Sequence, residues 1–174
     1  MILMLLASMA YGQSNRVNLK GTNEIGLNFN IWHQVHQQQL FEPPNFEFYS
    51  ASYGRWVSDK LVLGTNFGYS DAGHAGTFLT SSLFAKHYFI SETRLGVYGK
   101  AEAGLARTNK RPISDPDALK SVKLNYFGQV GLGAEYRFTP KLSAFGEANY
   151  MQMITPEKKS GGFMSFILGL RFRF

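Results

Sequence analysis

The most regular pattern in the chain is an alternation with a period of two. Between Val122 and Phe138 the even positions are Val122, Leu124, Tyr126, Gly128, Val130, Leu132, Ala134, Tyr136 and Phe138. The odd positions are Lys123, Asn125, Phe127, Gln129, Gly131, Gly133, Glu135 and Arg137. Successive side chains of a strand point to opposite faces, so this run predicts one long β-strand with an apolar face and a polar one. The C-terminus repeats the pattern. Met164, Phe166, Leu168, Leu170, Phe172 and Phe174 stand against Ser165, Gly169, Arg171 and Arg173, with Phe163 and Ile167 breaking the polar side. Ile25, Leu27, Phe29 and Ile31 alternate with Glu24, Gly26, Asn28 and Asn30. Leu61, Leu63, Phe67 and Tyr69 alternate with Gly64, Asn66, Gly68 and Ser70. Weaker alternation marks Leu95–Leu105 and Leu142–Met151. Phe46–Val57 and Phe78–Phe89 read as extended and aromatic but leave their phase open. The pattern predicts eight strands.

The connections carry a second signal. Short turns at Ser58-Asp59-Lys60, Ser91-Glu92-Thr93 and Thr139-Pro140-Lys141 alternate with longer polar segments at His33–Asn45, Asp71–Gly76, Thr108–Ser121 and Thr155–Gly162. Short turns on one rim, long loops on the other and both termini on the short-turn rim match the layout of an outer-membrane barrel. Side-chain volume says which face looks inward. Bulky Leu, Phe, Tyr, Ile and Met would overfill a lumen of eight strands, whereas the Gly, Asn and Ser of the opposite face suit a narrow interior. Trp56, Tyr136, Phe138, Phe172 and Phe174 gather toward the short-turn rim and Tyr69, Tyr126 and Tyr150 toward the other, as interfacial aromatic belts do. The prediction is an all-β, antiparallel, up-and-down transmembrane barrel.

Composition agrees. Of 174 residues only 17% are charged while 15% are aromatic, and 18 are Gly, a profile foreign to helix bundles and disordered chains. The absence of Cys removes disulfides, thiolate metal sites and thiol nucleophiles. Residues Met1 to Met9 are almost wholly apolar and Ala10-Tyr11-Gly12 follows as a small-residue cleavage site, so residues 1–12 read as a secretory signal whose basic start is missing through truncation or misassignment. Residues 13–174, with Gln13 or Ser14 at their head, then form a single barrel domain.

With these features the chain resembles the small eight-stranded outer-membrane barrels of Gram-negative bacteria, the OmpX, OmpA-barrel and opacity-protein group. The resemblance covers the barrel and not the peptidoglycan-binding domain of full OmpA-like proteins. It implies residence in the outer membrane among its lipids and lipopolysaccharide. The ending Gly169-Leu170-Arg171-Phe172-Arg173-Phe174 is similar to the family's assembly signal, which implies that Leu170, Phe172 and Phe174 are read by the barrel-insertion machinery.

The inward set predicted from parity comprises Glu24, Arg94, Lys100, Glu102, Lys123, Glu135, Arg137, Glu147, Arg171 and Arg173. Buried charges must pair or stay hydrated, so this set is expected to plug the lumen as a polar network; a narrow channel for ions or small solutes is the alternative. A lipid A-modifying enzyme comes third. It would need a Ser, a His base and a carboxylate to converge, and His33, Ser70, Asp71 and His74 supply those types without a recognisable spacing. His33, His36 and Gln37–Gln39 precede Pro43-Pro44 in a loop and read as solvated rather than as a metal or sugar site. Lys110, Arg111, Lys120, Lys158 and Lys159 would draw lipopolysaccharide phosphates, tempered by Asp115, Asp117 and Glu157. Gly131-Leu132-Gly133 lies within a strand, so it is no nucleotide fingerprint. No cofactor, metal or nucleic-acid partner is expected. The predicted role is a non-enzymatic structural or surface-interaction protein with an unidentified surface ligand.

Overall fold

A computed structural model describes residues 19–34, 45–71, 77–91, 94–109, 122–154 and 160–174. The alternating segments form eight strands: β1 (Asn23–Gln34), β2 (Asn45–Trp56), β3 (Leu61–Asp71), β4 (Thr77–Ser91), β5 (Leu95–Asn109), β6 (Val122–Arg137), β7 (Leu142–Ile154) and β8 (Ser160–Arg173). Each pairs antiparallel with the next, and β1 pairs with β8 to close the barrel. Closure leaves no strand edge unpaired, the condition a sheet must meet in a bilayer where no water can serve its backbone. The segment 1–12, the loop residues His36 and His74, and the basic loop positions lie outside the described residues.

Several strands outrun their predicted ends. β1 continues through His33 to Gln34, and β8 starts at Ser160, inside a segment expected to be loop. Partners explain both: Gln34 sits opposite Phe163, and Ser160 opposite Ile154, so ladder hydrogen bonds hold polar residues that alternation alone does not mark. Two short turns share one construction. The amides of Val57 and Ser58 donate to the Leu61 carbonyl while the Ser58 hydroxyl accepts from Lys60 and Leu61. Phe138, Thr139, Lys141 and Leu142 repeat this arrangement around the Thr139 hydroxyl. A side-chain oxygen capping its own turn is what makes Ser and Thr good turn residues.

The wall is apolar outside. Leu27, Leu83, Leu132 and Leu168, on four different strands, are each about two-thirds exposed at 65%, 68%, 64% and 66%. Side chains of this size on every side of a molecule face lipid, not water. Tyr136 and Phe138 (5.5 Å, edge to face) and Phe172 and Phe174 (6.2 Å, stacked) lie outward at the short-turn end. Tyr69, Tyr126 and Tyr150 lie outward toward the other end. Trp56 corrects the expected belt: it is fully buried, facing inward from the end of β2. The open phases of β2 and β4 are also resolved. Phe48, Ser50, Gly54 and Trp56 face in on β2; Phe78, Thr80, Ser82, Phe84, Lys86 and Tyr88 face in on β4.

Candidate functional site

The interior of the barrel is packed in three tiers, and it is the candidate site. The lowest tier, at the short-turn end, is ionic. Four carboxylates, Glu24, Glu102, Glu135 and Glu147, each point inward from a strand; Glu24, Glu135 and Glu147 meet cations from other strands, and Glu102 meets Lys100 of its own strand. Glu24 pairs with Lys86 and Arg171, the latter at 3.2 Å, and accepts a hydrogen bond from Trp56 Nε1 at 3.0 Å. Glu135 pairs with Arg171, Arg173 and Arg137, with Arg137 Nε at 3.0 Å, and accepts from the Tyr88 hydroxyl at 2.9 Å. Glu147 accepts from the Tyr98 hydroxyl at 2.8 Å and from Lys100 at 3.4 Å. Lys100 also reaches Glu102 at 2.7 Å. Aromatic faces complete the cage: the Arg171 guanidinium lies 4.2 Å from the Phe145 ring, and the Lys86 ammonium 5.1 Å from that of Phe84.

Glycine makes room for these rings. A Cβ on Gly133 would stand 2.5 Å from the Tyr98 ring, and one on Gly68 only 2.0 Å from that of Phe48. The Gly-rich inner face therefore admits aromatic side chains from neighbouring strands into a narrow barrel. Beneath the ionic tier the chain folds back on itself. Gly21, at φ +88°, donates to the Trp56 carbonyl, Trp56 returns a bond to Thr22, and the Thr22 amide and hydroxyl both bond Leu19. This turn tucks Leu19 into a buried apolar cluster with Trp56, Val62, Tyr88 and Tyr98.

The middle tier, next to Glu102, is uncharged and polar. Asn28 and Asn30 donate to the Ser50 hydroxyl at 2.9 and 3.3 Å, and Asn66 donates to Glu102 at 3.2 Å. Gln129, Asn149 and Ser165 are buried at the same heights. The upper tier is apolar: Trp32, Phe48, Phe78, Ala106, Phe127, Met151, Met153 and Phe163 form one buried cluster. Trp32 stacks on Phe48 at 4.8 Å and meets Phe78 edge-on at 5.7 Å.

Of the predicted inward charges, Glu24, Lys100, Glu102, Glu135, Glu147, Arg137, Arg171 and Arg173 come together in this interior. Arg94 does not, and is a correction: it precedes β5, is exposed, and contributes only its carbonyl, which accepts from the Arg137 amide at 2.8 Å. A residue beyond the strand end escapes the parity rule that placed it inward. Lys123 belongs to β6, but its side chain lies outside what is described. Parity missed Lys86, Tyr88 and Trp56, because β2 and β4 carry bulky residues on both faces; Tyr98, on β5, shares the inward parity of Lys100 and Glu102 but goes unmarked as an aromatic among charges. The signal was nevertheless present, since Thr80, Ser82 and Lys86 share one parity of β4. The inward positions of Phe163 and Ile167 fit their interruption of the polar face of β8.

Among the described residues considered for lipid chemistry, His33 and Ser70 do not converge. Ser70 faces in and donates to the Glu47 carbonyl, whereas His33 faces out from β1. Among the described residues no three metal-ligating side chains cluster. Leu170, Phe172 and Phe174 all lie on the outer wall at the short-turn end.

A closed eight-stranded antiparallel wall, apolar outside and polar within, defines a transmembrane β-barrel. No protein-family model matches the chain, and no curated protein matches it in sequence. Solved structures do share the fold. Neisserial surface protein A, NspA, superposes with a TM-score of 0.70 at 14% identity over 89% of this chain and 100% of its own. The N-terminal barrel of Pseudomonas aeruginosa OprF gives 0.58 at 22%, covering 89% and 100%. The attachment invasion locus protein Ail of Yersinia pestis gives 0.58 at 15%, covering 89% and 99%. The fold is that of the small outer-membrane barrels of the OmpX and OmpA-barrel type.

Proposed function

We propose that this protein is an outer-membrane barrel with a closed lumen and a non-enzymatic role, structural or in surface interaction, carried by the segments that join its strands at the end opposite the short turns. The supporting observation is the interior itself. Ion pairs fill its lower tier, amides and hydroxyls its middle, aromatic rings its upper one, and Leu19 sits across the short-turn mouth. An interior of eight strands has little width to spare, and here side chains occupy all three levels. Among the described residues Ser70 faces inward and His33 outward, which favours a non-enzymatic role over lipid A modification.

The outer rim would meet lipopolysaccharide. The net charge of +6 and outward Arg107, near the end of β5, favour an anionic surface. Leu170, Phe172 and Phe174 present a row to the barrel-insertion machinery. An outer-membrane location is supported by the fold and the outward apolar wall, and by the signal-like sequence of residues 1–12.

The test is to replace segments 35–44, 72–76, 110–121 and 155–159 with short Gly-Ser turns in the mature chain. The expected variant still folds and inserts but loses binding of whole cells or vesicles to lipopolysaccharide aggregates and host-surface polyanions. Unchanged binding by the trimmed barrel contradicts a role carried by those segments. A change in lipid A mass on expression of the unmodified protein would contradict the non-enzymatic reading.

A further inference from the structure

We infer that the short-turn rim of the barrel is an interaction surface for anionic phospholipid headgroups, those of the leaflet on that side; this rests on the reading above that the chain spans a membrane. The rim is basic when both signs are counted. Lys20, Arg55, Lys60, Arg94 and Lys141 are exposed at this end. Against them stand exposed Asp59, the Glu92 of the sequence Ser91-Glu92-Thr93, and the carboxylate of Phe174. Cations therefore outnumber anions whatever pairs form among them. The ionic tier inside does not offset the excess, since its carboxylates Glu24, Glu102, Glu135 and Glu147 do not outnumber its own lysines and arginines.

Arg55 shows what this charge meets. It stands on the outward face of β2 between Tyr53 and Val57, and its ladder partner on β3 is Leu63; all three of those neighbours are exposed. Outward positions on this wall face lipid, so a soluble partner has no access to Arg55. Its depth is marked independently of charge. The Tyr53 hydroxyl donates to Asn23 at 3.0 Å, and Asn23 is the residue paired with Arg55 on β1. A tyrosine with its ring on the wall and its hydroxyl toward the rim marks the level where hydrocarbon gives way to headgroups. Arg55 begins at that level, and a flexible apolar stem lets a guanidinium reach the phosphates beyond it. The outward rings of Phe138 and Phe174 continue the belt around the same rim, and Lys141 lies in the turn that Phe138 opens.

Chemistry narrows the headgroup. A zwitterionic headgroup brings an ammonium that cancels its own phosphate, so a basic rim gains little from it. An anionic headgroup of the phosphatidylglycerol class brings net negative charge to the depth at which the cations stand, the condition under which Lys and Arg draw such lipids. The cations are spread around the rim, on β2 and in the turns before β1, β3, β5 and β7, so the lipid is recruited as a ring of neighbours rather than held in one pocket.

The experiment reconstitutes the mature chain into phosphatidylcholine vesicles that carry a trace of spin-labelled phosphatidylglycerol or spin-labelled phosphatidylcholine. Electron spin resonance reads the fraction of each label immobilised at the protein. The unmodified chain should prefer the phosphatidylglycerol label about threefold at low ionic strength. The preference should shrink in about 1 M salt, where charges are screened beyond roughly 3 Å. Arg55→Gln combined with Lys60→Gln and Lys141→Gln should remove about half of the preference or more, the remainder belonging to cations elsewhere on the chain. Arg55→Lys combined with Lys60→Arg and Lys141→Arg should keep it, which a merely structural role for these side chains would not require. All three positions are exposed, and the heat-dependent gel shift verifies that each variant is folded. Equal immobilisation of the two labels, or a preference that the three neutralisations leave unaltered, would overturn the proposal while leaving the barrel reading intact. A chain that immobilises neither label does not span the bilayer, and would overturn both.

Discussion

Glu135 shows what a single residue carries in this barrel. Its carboxylate is wholly buried and is shared by Arg137, Arg171, Arg173 and the Tyr88 hydroxyl. Removing one member of a buried ionic cluster leaves uncompensated charge and costs about 3–5 kcal/mol. Glu135→Gln should therefore lower stability by that amount in denaturant unfolding from detergent or vesicles; a loss below about 1 kcal/mol would mean that the cluster is hydrated. Gly133 tests the same tier by volume. Gly133→Ala drives a methyl group into the Tyr98 ring, and overpacking of this kind costs about 1–3 kcal/mol, measured in the same unfolding experiment. Glu135 was legible as an inward charge because β6 alternates cleanly. Its partner Tyr88 was not, because β4 sets Phe84 and Tyr88 on one face against Leu83 and Phe89 on the other, and parity finds no contrast there.

At the scale of elements, the last strand and the first turn carry the predictions. β8 pairs with both β7 and β1, so its insertion closes the barrel. Deleting Phe174, with Phe172 replaced by Ala, removes two exposed rings from the outer wall while leaving the inward residues in place. The fraction of heat-modifiable protein recovered from membranes should fall, whereas refolding into detergent should proceed. Equal recovery from membranes would argue against Leu170, Phe172 and Phe174 as an assembly signal. The strands themselves were legible, because a period of two survives wherever one face meets lipid and the other a narrow interior. Their ends were less so: β1 reaches Gln34 and β8 begins at Ser160 because cross-strand hydrogen bonds extend polar sequence. The turn that seats Leu19 was invisible, since one Leu in a polar stretch has no periodicity. It depends on the positive φ of Gly21 and on bonds to Trp56.

For the whole molecule, the wall and the interior make separate claims. Val130 lies mid-strand on β6 and is 59% exposed. If that surface faces hydrocarbon, Val130→Arg should destabilise the barrel in lipid vesicles by about 2–4 kcal/mol. A water-facing wall would tolerate it. The inside-out distribution was readable from side-chain volume along β6 and β8, but the upper apolar tier was not. Trp32, Phe48, Phe78, Met151 and Met153 sit on inward positions that alternate along their strands with polar inward residues such as Asn30, Ser50, Thr80 and Asn149, and only closure of the sheet brings them into one layer. The same closure unites Lys86, Lys100 and four carboxylates from β1, β5, β6 and β7 into the ionic tier below. Whether these tiers together seal the barrel is answered most directly by planar-bilayer conductance of the refolded chain, with folding verified by its heat-dependent gel shift. The packed interior predicts a folded barrel that passes no steady current. Reproducible ohmic openings, altered when Lys100 or Lys86 is neutralised, would contradict a closed lumen and make the interior a conduction path.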